Sequence, residues 1–338
     1  MGCNVFSPSE IKEYITSGYI NNNFDPVLEI ESEKEDIFEA FIQVVESVGD
    51  RFDKIAIHLT GGKDTGFIAA LCKHLDVPFV GFTYVVPYSR DILVASKVAK
   101  ILDVDLIYLH IDDMLFQDRL VQYSLLGCFD DVHFSFEKYY NMADICLSGW
   151  GLTETCYAKD VSQEFIFNYL HQGSELQRKK MGVHPIVFEG NILSRILGFE
   201  KNEDTNLMIE LLKMIRPGLL DIEYVNSGLP LRFPWKVHLN LWKWYNLNAL
   251  LLNKPNPHVG CDGSFFIRNC IDKKAVTDCV NAVFNKYPVF DRNRALDKIE
   301  LFYQRRSNYR MNIVRFLILE EIFRSSDLCA KPVYVESK

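Results

Sequence analysis

One segment, from Lys54 to Leu75, constrains the fold of this chain more than any other. It begins with a short apolar run, Ile55 to Leu59, passes through two adjacent glycines and ends with apolar residues at helical spacing. This order predicts a strand, a tight loop and a helix. We therefore expect the fold to contain a strand–loop–helix unit that begins near Lys54.

The same alternation of strand and helix continues along the chain. Further strands are predicted at Pro78 to Tyr84, Asp105 to His110 and Ala143 to Ser148. Between them, Ser89 is a candidate N-cap for one helix, and a second helical stretch runs from about Asp112 to Tyr140. Strands and helices that alternate at this length predict an α/β fold, a doubly wound parallel sheet covered by helices on both faces.

The part of the chain after about Gly151 has a different character. It contains long amphipathic runs, which predict helices at Asn206 to Ile215, Lys273 to Phe284 and Asn312 to Phe323. Two turn-rich stretches, Asn226 to Pro234 and Asn253 to Gly263, interrupt these runs, and either could line a substrate cleft. The C-terminal half is therefore predicted to be mainly helical.

These patterns divide the 338 residues into three parts. Residues 1–48 hold helical patterns, and the sequence leaves open whether they pack on the sheet. Residues 49–155 form the predicted α/β core. Residues 156–338 form a mainly helical region on the substrate side. The length of the chain by itself suggests about two domains rather than one.

The composition narrows the class of partner. A net charge of −8 gives no electrostatic reason to expect a nucleic-acid or membrane partner, because either favours clustered Lys and Arg. A small-molecule or peptide substrate is favoured instead. No stretch approaches the roughly 18 apolar residues of a membrane span, the N-terminus lacks signal-peptide features, and the nine cysteines include no CxxC pair. We therefore expect a cytoplasmic protein with reduced thiols.

A leucine-rich stretch of the second half carries four large aromatic residues: Trp235, Trp242, Trp244 and Tyr245. Such a group of rings could stack on a sugar or a peptide. The leucines around them favour a different interpretation, in which the rings pack in the core. We therefore expect these aromatic side chains to be buried.

The loop after the first predicted strand carries the strongest chemical signal. Its residues are Thr60, Gly61, Gly62, Lys63, Asp64 and Thr65. At the start of a helix, backbone N–H groups and the helix dipole favour anionic oxygens. The glycines let phosphates approach the backbone, the threonines offer hydroxyl groups, Lys63 supplies charge and Asp64 can hold magnesium. A lone glycine turn with a capping Asp is more often a structural turn than a phosphate-binding loop. The rest of the sequence therefore has to distinguish between the two.

Two motifs together carry a family resemblance. The loop Thr60 to Thr65 is similar to the SGGxDS signature of the N-type ATP pyrophosphatases, the PP-loop family, with Thr in both Ser positions. The segment Leu147 to Glu154 resembles SGxGxDE, the second signature of the asparagine-synthetase-like branch. Both motifs follow predicted strands, and ligands bind at the carboxyl edge of an open α/β sheet. The resemblance implies the adenine nucleotide alpha hydrolase-like (HUP) form of the doubly wound fold.

The resemblance also implies which residues form the site, with ATP and Mg²⁺ as cofactors. The implied nucleotide-binding residues are Leu59, Thr60, Gly61, Gly62, Lys63, Asp64, Thr65, Thr83 and Gly149. The implied catalytic residues are Lys63, Asp64 and Glu154. Asp64 and Glu154 would also hold the magnesium ion. Thr153 stands where the family has a metal-binding Asp, and it cannot supply the same charge.

The activity that the resemblance implies is that of an ATP-dependent carbon–nitrogen ligase of the amidotransferase type. A substrate carboxylate would attack the α phosphorus of ATP to give an acyl-adenylate and pyrophosphate, and ammonia or an amine would then displace AMP. The expected substrate is a small-molecule, sugar or peptide carboxylate. Gly2 stands where glutamine-hydrolysing relatives have their nucleophilic Cys, and few residues precede the loop, so a separate glutaminase or other ammonia source is expected.

Two other functions stay open at this point. PP-loop enzymes that modify tRNA carry a similar loop, although the acidic charge, the missing CxxC pairs and the second motif argue against that function. The other alternative is a non-catalytic module that binds ATP or AMP, because Thr153 weakens the implied metal site.

Overall fold

The structure is a computed structural model that describes residues 8–17, 28–85, 89–110, 143–157, 183–200, 206–258 and 263–325. Within this part of the chain, five strands form one sheet: β1 (Ile55–His58), β2 (Val80–Val85), β3 (Leu106–His110), β4 (Ile145–Ser148) and β5 (Val183–Pro185). Their order is β3-β2-β1-β4-β5, and each neighbouring pair is parallel. The predicted α/β class, with a doubly wound parallel sheet, is confirmed.

Helices make up most of the remaining described structure. They are α1 (Pro8–Ser17), α2 (Lys34–Arg51), α3 (Lys63–His74), α4 (Asp91–Leu102), α5 (Leu152–Tyr157), α6 (Ile192–Gly198), α7 (Leu207–Ile215), α8 (Trp235–Leu252), α9 (Gly263–Cys270), α10 (Lys273–Lys286), α11 (Arg292–Tyr303) and α12 (Arg310–Ser325), with short 3-10 helices at Ile186–Phe188 and Pro217–Asp221. The helical second half is confirmed. The helix predicted from Asp112 to Tyr140 lies outside the described residues. In the ranges that the structure describes, no helix is both long and apolar enough to cross a membrane.

The sheet has an apolar core to which α2 and α3 both contribute. Every residue of β1 is buried, as expected for a central parallel strand. Ile57 of this strand shares a core with Phe41 of α2 and Phe67 of α3, and the two phenylalanine rings meet edge to face with centroids 5.0 Å apart. Most of α2 belongs to residues 1–48, whose packing the sequence left open, so this part of the N-terminal segment packs on the sheet.

A second apolar core lies among the C-terminal helices, and α1 belongs to it. Ile11 and Ile15 of α1 are buried against side chains of α9, α10, α11 and α12. The carbonyl oxygen of Ile15, near the end of α1, accepts hydrogen bonds from Asn312 Nδ2 at 3.3 Å and from an Arg315 guanidinium nitrogen at 3.2 Å. The two N-terminal helices thus pack on different cores.

The path of the chain through the sheet creates a crevice beside β1. From β1 the chain runs to β2 and β3 on one side, and it later returns to β4 on the other side. In open α/β sheets, ligands bind at such a topological switch point, outside the carboxyl ends of the strands. The carboxyl ends of β1 and β4 are therefore the place to look for a ligand site.

The expectation for the aromatic residues of α8 is only partly confirmed. Trp235 is 3% exposed and packs in the sheet core, and Tyr245 is half-buried and stacks on His258 with centroids 3.9 Å apart. Core packing is wrong for Trp242 and Trp244, which are 39% and 57% exposed. Because α8 carries apolar residues on all sides, neighbouring leucines do not show which side of the helix faces the core.

Candidate functional site

The loop after β1 is held in shape by its own threonines. The hydroxyl oxygens of Thr60 and Thr65 lie 3.0 Å apart, within hydrogen-bond distance. The amide of Gly62 donates to Thr60 Oγ1 at 3.0 Å, and Gly62 is the N-cap of α3. Hydroxyl groups that bond to nearby backbone in this way stabilise tight turns. The loop therefore has a defined conformation of its own.

Gly61 makes contacts with two distant parts of the chain. Its amide donates to Asp91 Oδ1 at 2.5 Å, and its carbonyl oxygen accepts from the amide of Val225 at 3.1 Å. A Cβ atom at Gly61 would lie 2.5 Å from the Cβ of Val225, a separation that two side chains cannot share. The close approach that requires a glycine at position 61 is therefore that of Val225, from the second half of the chain.

The first turn of α3 offers backbone donors at the edge of the sheet. The first residues of an α-helix have no acceptor within the helix for their amides. In the described part of the chain, the amides of Lys63, Asp64 and Thr65 meet no acceptor elsewhere. Together with the helix dipole, these N–H groups favour an anionic ligand.

The second motif lies against this first turn of α3. Gly149 follows β4, and a Cβ atom there would lie 2.8 Å from the Cβ of Asp64 and 3.1 Å from the amide nitrogen of Thr65. Thr153, on α5, reaches the same place, since its hydroxyl donates to Asp64 Oδ2 at 2.5 Å. Two motifs that are far apart in the sequence therefore meet at the crevice between β1 and β4.

The side chain of Lys63 points into the protein and is only 1% exposed. Its ammonium nitrogen lies 3.1 and 3.4 Å from the two carboxylate oxygens of Asp64, 2.9 Å from Thr153 Oγ1, and 5.0 Å from the ring centroid of Trp235. Burial disfavours the charged form. The charge and hydrogen bond of Asp64, with smaller contributions from other neighbours, outweigh this effect and raise the pKa of Lys63 above its usual value. Lys63 is therefore an internal ammonium ion.

The predicted turn-rich stretch, Asn226 to Pro234, begins beside this group. Tyr224 is buried next to it, and its hydroxyl accepts from Asn226 Nδ2 at 2.7 Å. The hydroxyl of Ser227 lies 2.5 Å from Nδ1 of His238. Burial raises the pKa of Tyr224 and lowers the pKa of His238, so both side chains stay uncharged near neutral pH. The second half of the chain thus surrounds Lys63 with uncharged groups.

The remaining predicted site residues lie near the same edge of the sheet. Leu59 is buried, and its amide donates to the carbonyl oxygen of Phe82 at 2.8 Å. Thr83, the next residue of β2, is 1% exposed, and its hydroxyl has no hydrogen-bond partner within the described residues. Glu154 belongs to α5, directly after Thr153, but its side chain lies outside the described structure. The buried hydroxyl of Thr83 is a polar group that a ligand could satisfy.

The described side chains fit magnesium only in part. Asp64 supplies a carboxylate, but both of its oxygens accept hydrogen bonds from Lys63, and one also accepts from Thr153. Across the described ranges, no group of three or more His, Cys, Asp or Glu side chains is arranged to hold a metal ion. Magnesium needs only one or two carboxylates when substrate phosphates complete its octahedron. The described residues therefore fit magnesium carried by phosphates better than magnesium held by the protein alone.

Two residues that contact Gly61, Asp91 and Val225, were given no role in the site from the sequence. Asp91 opens a helix that follows a neighbouring strand, and an acidic residue there is a weak signal that would also fit a simple helix start. Val225 carries no signal at all, since only the packing of the second half brings it to Gly61.

No protein-family model matches the chain, and no curated protein matches it either. The resemblance to the PP-loop family stays a prediction from the loop Thr60 to Thr65 and the segment Leu147 to Glu154, which the structure brings into contact. These contacts define the candidate site as the crevice at the carboxyl ends of β1 and β4.

Proposed function

We propose that this chain is an ATP-dependent carbon–nitrogen ligase that adenylates a substrate carboxylate at the loop between β1 and α3. The observation that carries the proposal is the contact between the two motifs at the topological switch point. Gly149 packs on the first turn of α3, and Thr153 bonds to Asp64. A helix start with available amides, joined there by a second glycine motif, is what a nucleotide site requires.

In the proposed complex, the phosphates of ATP accept hydrogen bonds from the first-turn amides of α3. The hydroxyls of Thr60 and Thr65 lie within the same loop and supply further donors. Leu59 directly follows β1, and Thr83 lies beside it in the last half of β2, where the rest of the nucleotide would extend. Gly149 has no side chain and therefore allows the second motif to pack directly on the first turn of α3.

The proposed reaction has two steps. A carboxylate oxygen forms a bond to the α phosphorus, and the bond from that phosphorus to the bridging oxygen breaks, which releases pyrophosphate. Ammonia or an amine then attacks the carbonyl carbon, and AMP leaves. The loop amides stabilise the growing charge on the pyrophosphate, with Asp64 and Glu154 as the proposed carboxylates of the site. The ammonium of Lys63 stays bonded to Asp64 and Thr153 under the ring of Trp235 and holds the Asp64 carboxylate in place. Magnesium, when bound to the phosphates, would neutralise part of the charge on the pyrophosphate.

The proposed substrate is a small-molecule, sugar or peptide carboxylate that enters beside the segment from Tyr224 to Pro230. This segment comes from the second half of the chain and already bonds to Gly61 through Val225. A separate glutaminase or another ammonia source would supply the nitrogen. The acidic net charge favours such substrates over nucleic acid.

One observation favours a second candidate, a module that binds ATP or AMP without catalysis. Asp64 is engaged by both Lys63 and Thr153, so the carboxylate proposed for catalysis already has partners. In that case the first-turn amides of α3 would hold phosphates, but pyrophosphate would not be released.

Exchange of labelled pyrophosphate into ATP distinguishes the ligase from the non-catalytic module, because only the ligase catalyses it in the presence of its carboxylate. The carboxylates tested are a panel of sugar acids, amino acids and peptides. Thr65→Val removes one hydroxyl of the loop and should slow the exchange by about 100-fold. Thr277→Val makes the same change at a half-buried threonine of α10 and should leave the exchange unchanged. ATP binding without exchange for any carboxylate would favour the non-catalytic module, and products of ADP and phosphate would refute adenylation.

A further inference from the structure

The ammonium group of Lys63 sits in a cage of oxygen acceptors. Its N–H groups point to the carboxylate of Asp64 and the hydroxyl of Thr153, and the ring of Trp235 covers another side. An ammonium group has three N–H donors and no acceptor, so such surroundings suit it. The Thr153 hydroxyl donates a hydrogen bond to Asp64, which closes a ring of hydrogen bonds.

The spacing in this cage matches an ammonium ion and not magnesium. The Lys63 nitrogen lies 3.1 Å from the nearer oxygen of Asp64 and 2.9 Å from Thr153 Oγ1. Magnesium holds its oxygen ligands at about 2.0–2.1 Å in an octahedron that tolerates little distortion. A metal ion bound between these two oxygens would have to occupy the position that the ammonium nitrogen already fills.

We propose that the ammonium of Lys63 is the built-in cation of this site and fills the place between positions 64 and 153. The free protein then binds no divalent cation there. Magnesium reaches the site only together with the phosphates of the nucleotide. This role of the nucleotide rests on the proposed function, whereas the absence of a divalent cation from the free protein does not.

The identity of residue 153 follows from this arrangement. The charges of Lys63 and Asp64 cancel, and Thr153 adds an oxygen without adding charge, so the buried group is neutral as a whole. An Asp at position 153 would leave the group with one excess negative charge, which a buried site tolerates only if another cation binds or one carboxyl group takes up a proton. Thr153 is therefore matched to Lys63.

Manganese binding to the free protein, followed by water proton relaxation, tests the proposal without nucleotide. Lys63→Met/Thr153→Asp removes the cation and adds a carboxylate, and it should gain one Mn²⁺ site at least about tenfold tighter than any in the parent. Lys100→Met/Asn240→Asp makes the same change in net charge at two exposed positions and should gain none. Lys63→Met alone should gain a weaker site at Asp64.

A tight Mn²⁺ site in the parent that disappears in Asp64→Asn would overturn the proposal, and so would the absence of any gain in both Lys63 variants. If the double variant folds poorly without metal, its melting temperature should rise with Mn²⁺ while that of the parent stays unchanged. ATP binding measured in excess chelator distinguishes a failure of the proposed function from a failure of the built-in cation. A parent that binds no ATP with or without magnesium contradicts the proposed function, whereas the Mn²⁺ result for the free protein stands.

Discussion

Replacing one member of the ion pair between Lys63 and Asp64 should destabilise the protein more than replacing both. The side chain of Lys63 is 1% exposed and that of Asp64 is 17% exposed. Removal of one partner of a buried pair costs about 3–5 kcal/mol, because the other charge stays buried without compensation. Replacement of both partners by uncharged groups of similar size is often close to neutral.

The difference in burial sets the order of the single substitutions. Asp64→Asn leaves the more deeply buried ammonium with neutral oxygens, so its cost should be near 5 kcal/mol, at the upper end of the range. Lys63→Met leaves a carboxylate that water can reach and that still accepts from Thr153, so its cost should be about 3 kcal/mol. Lys63→Met/Asp64→Asn should lie within about 1 kcal/mol of the parent.

Urea unfolding followed by circular dichroism measures these free energies. The pair formed by Lys274 and Asp278 is the matched control, because it joins the same residue types on an exposed helix face. Lys274→Met, Asp278→Asn and their combination should each change the free energy of unfolding little. Losses at positions 63 and 64 that simply add, or a larger loss for Lys63→Met than for Asp64→Asn, would refute the reasoning.

Two further predictions concern contacts around the site. Gly149→Ala would place a Cβ atom 2.8 Å from the first turn of α3 and should lower the free energy of unfolding by about 1–3 kcal/mol. Gly66→Ala is the control, because a Cβ there meets no atom within 4 Å, and it should lower the free energy of unfolding little or raise it. Equal losses for the two variants in urea titrations would contradict the close contact at Gly149. Burial opposes ionisation of Glu223, but hydrogen bonds from Lys97 and Arg90 outweigh it and hold the pKa below the usual 4.5. The resulting stabilisation is present above pH 4.5 and is lost as the pH falls through the lower pKa of the folded state. The destabilisation by Glu223→Gln should therefore be larger at pH 7 than at about pH 3. A pH-independent difference would contradict it.

The sequence predicts the sheet and the meeting of the two motifs because both follow from local patterns. Apolar runs mark the strands, and the glycines mark where the chain leaves them. Parallel strands bring their carboxyl ends to one edge, so the segments around Gly62 and Gly149 were expected to lie close together, and the structure has them in contact.

The sequence does not predict what surrounds Lys63, because that depends on packing between distant parts of the chain. A lysine in a glycine-rich loop is expected to face solvent or a phosphate. In the structure its ammonium group lies under Trp235, which comes from a helix of the second half. The same packing brings Val225 to Gly61, and no periodicity within either segment records that contact. Asp64 likewise has a structural role, as the partner of a buried cation, that its position in a loop does not reveal.

Hydrogen–deuterium exchange of the protein with and without ATP tests the central claim most directly, because it reports where the nucleotide binds. Saturating ATP should slow exchange in two peptides at once, one that covers residues 59–75 and one that covers residues 145–157, with no change in α10. The protection should be greatest at the first-turn amides of α3. Protection in neither peptide at millimolar ATP, or protection confined to the C-terminal helices, would contradict a nucleotide site at the carboxyl ends of β1 and β4.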